Sequence, residues 1–261
     1  MLKIEVCVST IGPRISNLKH LNQIQFYPGL TWHVIHQVSD NNDYNEIFKN
    51  KNIRYSQIGS KGLSNSRNYA ILNSDADYIL FADDDLNFHL KDIYQFSESL
   101  RIYQPDIMLS ILENEHGEPI RDYPNEGLIN IEALSAWSPE ICAKLKSLRK
   151  HRILFDESFG AGTSIPLGEE MLFMHKCLSE KLKIHFIPLS LFSHESNSHT
   201  SARIPTFDLL KYQMEVHKKV LPMLAFIIQL LKWVIRTKGL SFYQRFHILS
   251  DGIKLLMRPI F

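Results

Sequence analysis

Three aspartates in a row, Asp83-Asp84-Asp85, directly follow the compact apolar run Tyr78 to Ala82. Adjacent carboxylates repel one another, and beside an apolar strand that repulsion is costly. A divalent cation offsets it, and hard oxygen ligands suit Mg²⁺ or Mn²⁺, of which Mg²⁺ usually shares its shell with substrate phosphates. An isolated acidic triplet is more often a solvated turn; its place at the end of an apolar run favours the metal. Upstream, Lys61 and Arg67 flank a helix start rich in Gly and Ser. Helix N-termini and guanidinium groups both attract phosphate, while the plainer alternative pairs Arg67 with an aspartate of the triplet. Downstream, Gly168-Glu169-Glu170 opens a helix. A glutamate in a first helical turn suits a general base, which must be ionised beforehand, and it is also ordinary decoration of a helix start. The dipole lowers the pKa of such a group and desolvation raises it. His194, in Phe192-Ser193-His194-Glu195, either completes a metal shell or is structural.

The elements that must position these groups alternate. Apolar or β-branched runs at Ile4–Val8, Thr31–Val38, Ile53–Ile58, Tyr78–Ala82 and Asp106–Leu112 predict strands. Helical spacing is read over Asn17–Tyr27, Leu63–Asn73 and Lys91–Tyr103. Strand and helix in alternation imply an α/β fold, a mostly parallel sheet with helices on its faces. Ligands bind such sheets at the carboxyl ends of the strands. Ser9-Thr10, Asp40 and the aspartate triplet sit at three such ends, so segments far apart in sequence converge on one rim. The region 113–168 is rich in Pro and Gly, with one helix expected near Pro139–Leu148. A helix from Gly168 is expected to bury Met171, Met174, Leu178 and Leu182, and Ile184–Ile187 is a short strand stopped by Pro188.

Bulk properties exclude more than they identify. The 261 residues suffice for one large domain, or one domain with an extension, and a net charge of +1 points to no nucleic acid or other polyanion. Cys7, Cys142 and Cys177 are odd in number and far apart, which is neither a disulfide framework nor a zinc pattern, so a reducing, cytoplasmic compartment is expected. No secretory signal is visible at Met1-Leu2-Lys3-Ile4-Glu5. Charge is unevenly placed. Through Arg203 there are 20 Lys/Arg and 25 Asp/Glu, a net of −5, which leaves 9 basic and 3 acidic residues, a net of +6, for the remainder. A catalytic body over 1–203 and a helical, basic extension over 204–261 follow. Within the extension, Val220–Ile235 is very apolar but shorter than the roughly 20 residues of a spanning helix. A basic, apolar helix of this kind lies in a membrane interface, peripheral on the inner face, or docks on the body.

The order of motifs resembles glycosyltransferase family 2, with the GT-A fold. The matching stretches are Val6-Cys7-Val8-Ser9-Thr10, Asp40, Gly62 to Arg67-Asn68, Ala76 to Asp83-Asp84-Asp85, and Phe155-Asp156-Glu157-Ser158-Phe159-Gly160-Ala161-Gly162 through Gly168-Glu169-Glu170. Together they span about residues 4 to 195. The resemblance implies an inverting transfer of a sugar from a nucleotide-diphosphate donor to a carbohydrate or lipid-linked acceptor, as in surface-polysaccharide or glycolipid assembly. It implies that Asp40 and Thr10 lie at the nucleobase, Arg67 at the nucleotide, and Asp83 and Asp84 near the ribose and the metal. Asp85 matches the metal-ligating aspartate, and His194 a histidine that some members place beside it. The family's Glu-Asp base pair is Glu169-Glu170 here, which puts Glu170 in the base position and leaves either glutamate open. The common Asp-Asp-x-Ser is Ser39-Asp40-Asn41-Asn42, which leaves the nucleotide open.

Two other classes compete. A phosphohydrolase of the haloacid dehalogenase type also carries Asp-x-Asp after an apolar strand, but it expects the motif at the first strand, and Thr or Val where Asn87 stands. A catalytically silent nucleotide-binding scaffold would have no need of an intact aspartate triplet and glutamate pair.

Overall fold

The computed structural model describes residues 1–38, 44–195 and 206–257. Its centre is a nine-stranded mixed sheet. The strands are β1 (Ile4–Ile11), β2 (Leu30–Gln37), β3 (Ile53–Ile58), β4 (Tyr78–Asp83), β5 (Leu86–Phe88), β6 (Ile107–Glu113), β7 (Gly127–Leu128), β8 (Ile141–Lys144) and β9 (Ile184–His194). Their order is β3-β2-β1-β4-β8-β6-β9-β5, with β7 beside β9. The first four in that order pair in parallel, and β6 pairs in parallel with β9. The flanking helices are α1 (Leu63–Asn73), α2 (Ile93–Tyr103), α3 (Leu145–Lys150) and α4 (Glu169–Ser179).

Alternation along the strands builds a core on each face of the sheet. Cys7, Ile79 and Phe81 join α1 and α4 on one side, whereas Val6, Val8, Leu80 and Ala82 face Leu18, Phe96 and Leu100 on the other. Burial on both faces is why β1 and β4 read as continuous apolar runs rather than alternating ones.

Three elements differ from the sequence expectation, each for a physical reason. The helix expected at Asn17–Tyr27 is a 3₁₀ stretch at Gly12–Gln23 that buries Ile15, Leu18 and Leu21. A spacing of three, not 3.6, is the 3₁₀ period. The helix expected near Pro139–Leu148 is a short 3₁₀ turn, Ser138–Glu140, then β8, then α3. Ile141, Cys142 and Ala143 are wedged between β4 and β6, so tertiary burial overrides local preference. The strand at Ile184 continues through Pro188 to His194. Its register against β6 shifts there, from Leu109↔Phe186 to Ile111↔Ser190, and an irregularity in the ladder is where a residue without an N–H is tolerated. Of the residues expected on the apolar face of this helix and just after it, Met174 and Leu182 are buried and Leu178 is partly buried, while Phe173 and Cys177 take the place of Met171 in the core.

The extension forms α5 (Thr206–Val220), α6 (Met223–Arg236) and α7 (Phe242–Met257), packed around Leu210, Met214, Phe226, Leu230, Ile248 and Leu255. It also docks on the body. Gly168, just before α4, has φ +90°, and a Cβ there would lie 2.3 Å from Val216 of α5. Only glycine satisfies both that left-handed backbone and that approach. No helix among the described residues is long and apolar enough to cross a membrane.

Candidate functional site

The parallel strands deliver their polar ends to one rim, where Ser9 of β1 lies opposite Asp83 of β4, and Ile11 opposite Gln37 of β2. Beside them α1 starts at Gly62, and the Phe155–Gly162 segment is clamped to it. Asn68 Nδ2 donates to the Phe155 carbonyl (3.0 Å) and to Glu157 (2.9 Å), and its Oδ1 accepts from the Phe155 N–H (2.8 Å). Ser64 Oγ donates to the Phe159 carbonyl (2.7 Å). This clamp sets the path of the chain into Gly168 and α4.

At the centre lies Arg67, 1% exposed. Its Nη1 donates to Glu169 Oε1 (3.3 Å) and Glu170 Oε1 (3.2 Å), and its Nη2 to Asp83 Oδ1 (3.2 Å) and Ser138 Oγ (2.5 Å). This is the plainer of the two readings of Arg67: its guanidinium pairs with an aspartate of the triplet and with both glutamates. The segment bearing Ser138 is fixed by buried Glu140, which accepts from the Trp137 N–H (2.8 Å), Tyr123 Oη (2.5 Å) and the guanidinium of Arg121.

One guanidinium serves three carboxylates, and the glutamates divide accordingly. Glu169 is buried; a Cβ on Gly160 would lie 2.9 Å from its carboxyl carbon. Burial, and then the charge of Glu170, push its pKa up to about 8 against the pull of Arg67, so for this glutamate desolvation outweighs the helix dipole. Its Oε2 has no hydrogen-bond partner. Glu170, by contrast, keeps a side chain 20% exposed and reaches open space. Between the ordinary glutamate value and about 8, Glu169 holds a proton in the folded chain and none in the unfolded one. The folded state binds more protons, so this group makes stability fall as pH rises through that window. The expected result is a wild-type Tm that drops relative to Glu169→Gln between about pH 5 and pH 9; parallel curves would show an ionised Glu169.

The three aspartates point different ways. Asp83 turns to Arg67, and burial raises its pKa despite that partner. Asp84 accepts from Thr10 Oγ1 (2.6 Å) and from Arg14, yet burial raises it too. Asp85 lies 3.1 Å from Arg14 Nη2 and 3.6 Å from His194 Nε2. Burial works against its charge, but the bond from His194 and the charges of His194 and Arg14 hold its carboxyl below the ordinary value. His194 Nδ1 lies 2.9 Å from the Glu195 carbonyl. A carbonyl only accepts, so Nδ1 donates there, and the Nε2 edge of the ring is the one turned to Asp85.

Two cavities meet at Glu170. One, of about 280 Å³, is lined by Thr10, Asp83, Asp84, Asp85, Glu170 and His194, and by Arg14, Gln37 and Ser138, which sequence reasoning missed. The signal for Arg14 was present, an arginine four residues past Thr10; that for Ser138 was not, because its loop was read as helix. Lys61 is exposed and lines neither cavity, and Asp40 lies outside the described residues. The second cavity, of about 440 Å³, shares Asp83, Glu170 and Trp137 with the first and runs between α4 and α5.

Among the described residues, the three donors that lie close enough together for a metal are Glu5, Cys7 and His33, all buried, whereas the aspartate triplet and His194 do not gather three ligand atoms that closely. Arg54 already supplies a cation there, with Nη2 2.7 Å from His33 Nδ1 and 3.3 Å from Glu5. Burial holds the Cys7 thiol well above its ordinary pKa. The group is a polar tie between strands.

None of the curated proteins matches the chain in sequence. Among solved structures, residues 1–349 of TarS from S. aureus superpose with a TM-score of 0.64 at 16% identity, covering 98% of this chain and 81% of that one. The same protein in complex with UDP-GlcNAc gives 0.64 at 15% identity, over 97% and 81%. Against the longer TarS structure the score is 0.59 at 15% identity, and the chain spans 43% of its length. At such identity the likeness is one of fold. The family profile described as glycosyl transferase family 2 matches residues 29–165, more than half of the chain, and leaves the phosphohydrolase alternative without support. Sheet, rim and profile agree: the chain is a glycosyltransferase of the GT-A fold and belongs to glycosyl transferase family 2.

Proposed function

We propose that the protein transfers a sugar, with inversion, from a nucleotide-diphosphate donor to the hydroxyl of a carbohydrate or lipid-linked acceptor, in surface-polysaccharide or glycolipid assembly. One observation carries the reading: Glu170 stands where two cavities meet, one walled by the aspartate triplet and the other by an apolar cleft. A base at that junction can touch a hydroxyl entering from one side while the donor's anomeric carbon is presented from the other.

Thr10, Gln37, Asp84 and Arg14 bind the nucleoside and diphosphate, and Arg67 positions Glu170 and Asp83. Asp85 and His194 would hold the divalent ion, with Asp83 nearby. Carboxylate oxygen plus imidazole nitrogen suits Mn²⁺ at least as well as Mg²⁺, and the Nδ1–H bond of His194 to a backbone carbonyl is the usual support of a metal-bound imidazole. When bound, the ion supplies Lewis-acid stabilisation of the departing diphosphate. Glu170 takes the acceptor proton as the hydroxyl attacks the anomeric carbon from the face opposite the diphosphate; the C–O bond to the acceptor forms, the C–O bond to the diphosphate breaks, and no covalent enzyme intermediate arises. TarS has been crystallised with UDP and with UDP-GlcNAc, which makes UDP sugars the first donors to try.

The test is a panel of nucleotide sugars with and without Mn²⁺ or Mg²⁺, binding followed by saturation-transfer NMR and turnover by nucleoside diphosphate release. One donor is expected to bind with metal, and Asp85→Ala to abolish the metal-dependent part. Well-folded protein that binds no nucleotide sugar at any metal concentration overturns the reading.

The extension supplies a peripheral attachment to the inner face of a membrane. Leu224, Ile228, Leu231 and Ile235 form an exposed stripe on α6, and Phe242, Phe246, Ile253 and Met257 one on α7. Lys232, Arg236, Lys238, Arg245 and Lys254 accompany them, against Asp251 alone. Apolar stripes with basic flanks bind anionic lipid surfaces, and salt weakens the charged part. The protein is expected to float with phosphatidylglycerol vesicles at low salt and less at high salt; flotation with neither phosphatidylglycerol nor phosphatidylcholine vesicles would exclude this surface.

A further inference from the structure

The second cavity has a wall that no family motif reaches. Leu209, Gln213 and His217 of α5, spaced by four, form a half-buried stripe along it, since residues four apart share one helix face. Leu134, Trp137 and Met171 form the opposing side. His217 is fixed in place: its Nδ1 donates to the Gln213 carbonyl (2.8 Å), and its ring meets Trp233 edge-on at 5.0 Å. That leaves Nε2 as the polar atom of the ring available to the cleft, beside the amide of Gln213. Val216, packed against Gly168, ties the same helix to the glutamate pair, so the stripe is held at a set distance from Glu170.

The charge of the lining is informative. Among the described residues its one permanent cation is Arg67, already shared by Asp83, Glu169 and Glu170. An anionic acceptor entering here would meet, among those residues, carboxylates and no free guanidinium or ammonium, a like-charge contact that disfavours it. An aromatic face, aliphatic side chains, an amide and an imidazole offer instead what an uncharged sugar ring presents, an apolar face and hydroxyls.

We propose that α5 reads the acceptor, through Gln213 and His217, and that the cleft it walls takes a neutral glycoside and rejects one bearing phosphate next to the reacting hydroxyl. The assignment rests on the transferase reading above and adds the class of acceptor and the residues that select it. It makes the extension part of the active site as well as the site of membrane attachment.

Cys7, Cys142 and Cys177 are buried, so Gln213→Cys offers a single exposed thiol for a bulky maleimide. UDP-GlcNAc binding is followed by saturation-transfer NMR, as is binding of p-nitrophenyl β-glucoside, β-galactoside and β-N-acetylglucosaminide in the presence of UDP and Mn²⁺, with glucose 6-phosphate as the anionic comparison. The unlabelled protein is expected to bind at least one neutral glycoside and to bind glucose 6-phosphate more weakly. Labelling is expected to weaken glycoside binding by about tenfold or more, equivalent to about 1.4 kcal/mol, and to leave UDP-GlcNAc binding in place. His217→Ala, a smaller change, is expected to weaken the glycoside in the same direction. A label that removes donor and glycoside together, or neither, overturns the assignment. So does stronger binding of glucose 6-phosphate, or the absence of any glycoside signal in protein that binds UDP-GlcNAc. If no UDP sugar binds the unlabelled protein, the transferase reading falls first and the acceptor assignment with it.

Discussion

Glu170→Gln is expected to lower turnover by about 10²- to 10⁴-fold, the usual worth of a general base, while the donor still binds. The amide replaces the carboxylate at nearly the same volume, so the donor cavity, to which Glu170 contributes one wall, keeps its shape. What the variant loses is the ability to accept the acceptor's proton. Nucleoside diphosphate release measures the loss, and saturation-transfer NMR of the donor shows that the site survives. Glu169→Gln is the internal comparison. Glu169 is buried, its pKa is pushed up by burial and by the charge of Glu170, and it lines only the second cavity, so its replacement is expected to cost far less in rate and to act on the pH dependence of stability. A reversed pattern, Glu169→Gln silent in stability and severe in rate, would exchange the two roles.

The sequence carried the rim because its carriers are local. An apolar strand running into Asp83-Asp84-Asp85 and a Gly-Glu-Glu helix start are readable without knowing what lies across from them. The parallel order of the first strands followed from strand and helix in alternation, and the profile over residues 29–165 spans the Gly62–Asn68 stretch and the aspartate triplet but ends before Glu169 and Glu170. What stayed hidden depends on partners distant in the chain. Ser138 reaches Arg67 because β8 inserts between β4 and β6, and nothing in Ile141-Cys142-Ala143 distinguishes a buried strand from a helical turn. The 3₁₀ stretch after β1 was visible in Leu18 and Leu21 but was given the wrong period and carried past its end at Gln23. The extension was legible as basic and helical, yet its role as a wall of the cleft rests on Gly168 admitting Val216, a contact across 48 residues that no local pattern announces.

Arg67→Met is expected to be the most destabilising single change at the site. Removing the guanidinium leaves Asp83, Glu169 and Glu170 facing one another with no cation among them, and an uncompensated buried charge typically costs about 3–5 kcal/mol. In a domain of this size that lowers Tm by about 10 °C. Arg67→Lys is not a rescue, because one ammonium cannot present the two-pronged fork that reaches both glutamates on one nitrogen and Asp83 with Ser138 on the other. The pH dependence separates this account from a simple packing defect. The folded-state pKa of Asp83 and of Glu169 is already raised with Arg67 present, and without it both rise further. Stability is then lost as pH climbs from the ordinary carboxylate range, and acid, which protonates the cluster, returns part of it. Thermal melts of Arg67→Met at about pH 5 and pH 8 should therefore differ by more than those of wild type. A loss of equal size at both values would mean that the guanidinium acts by filling space over Phe155, whose ring centre lies 5.4 Å from it, and that the carboxylates find their partners elsewhere.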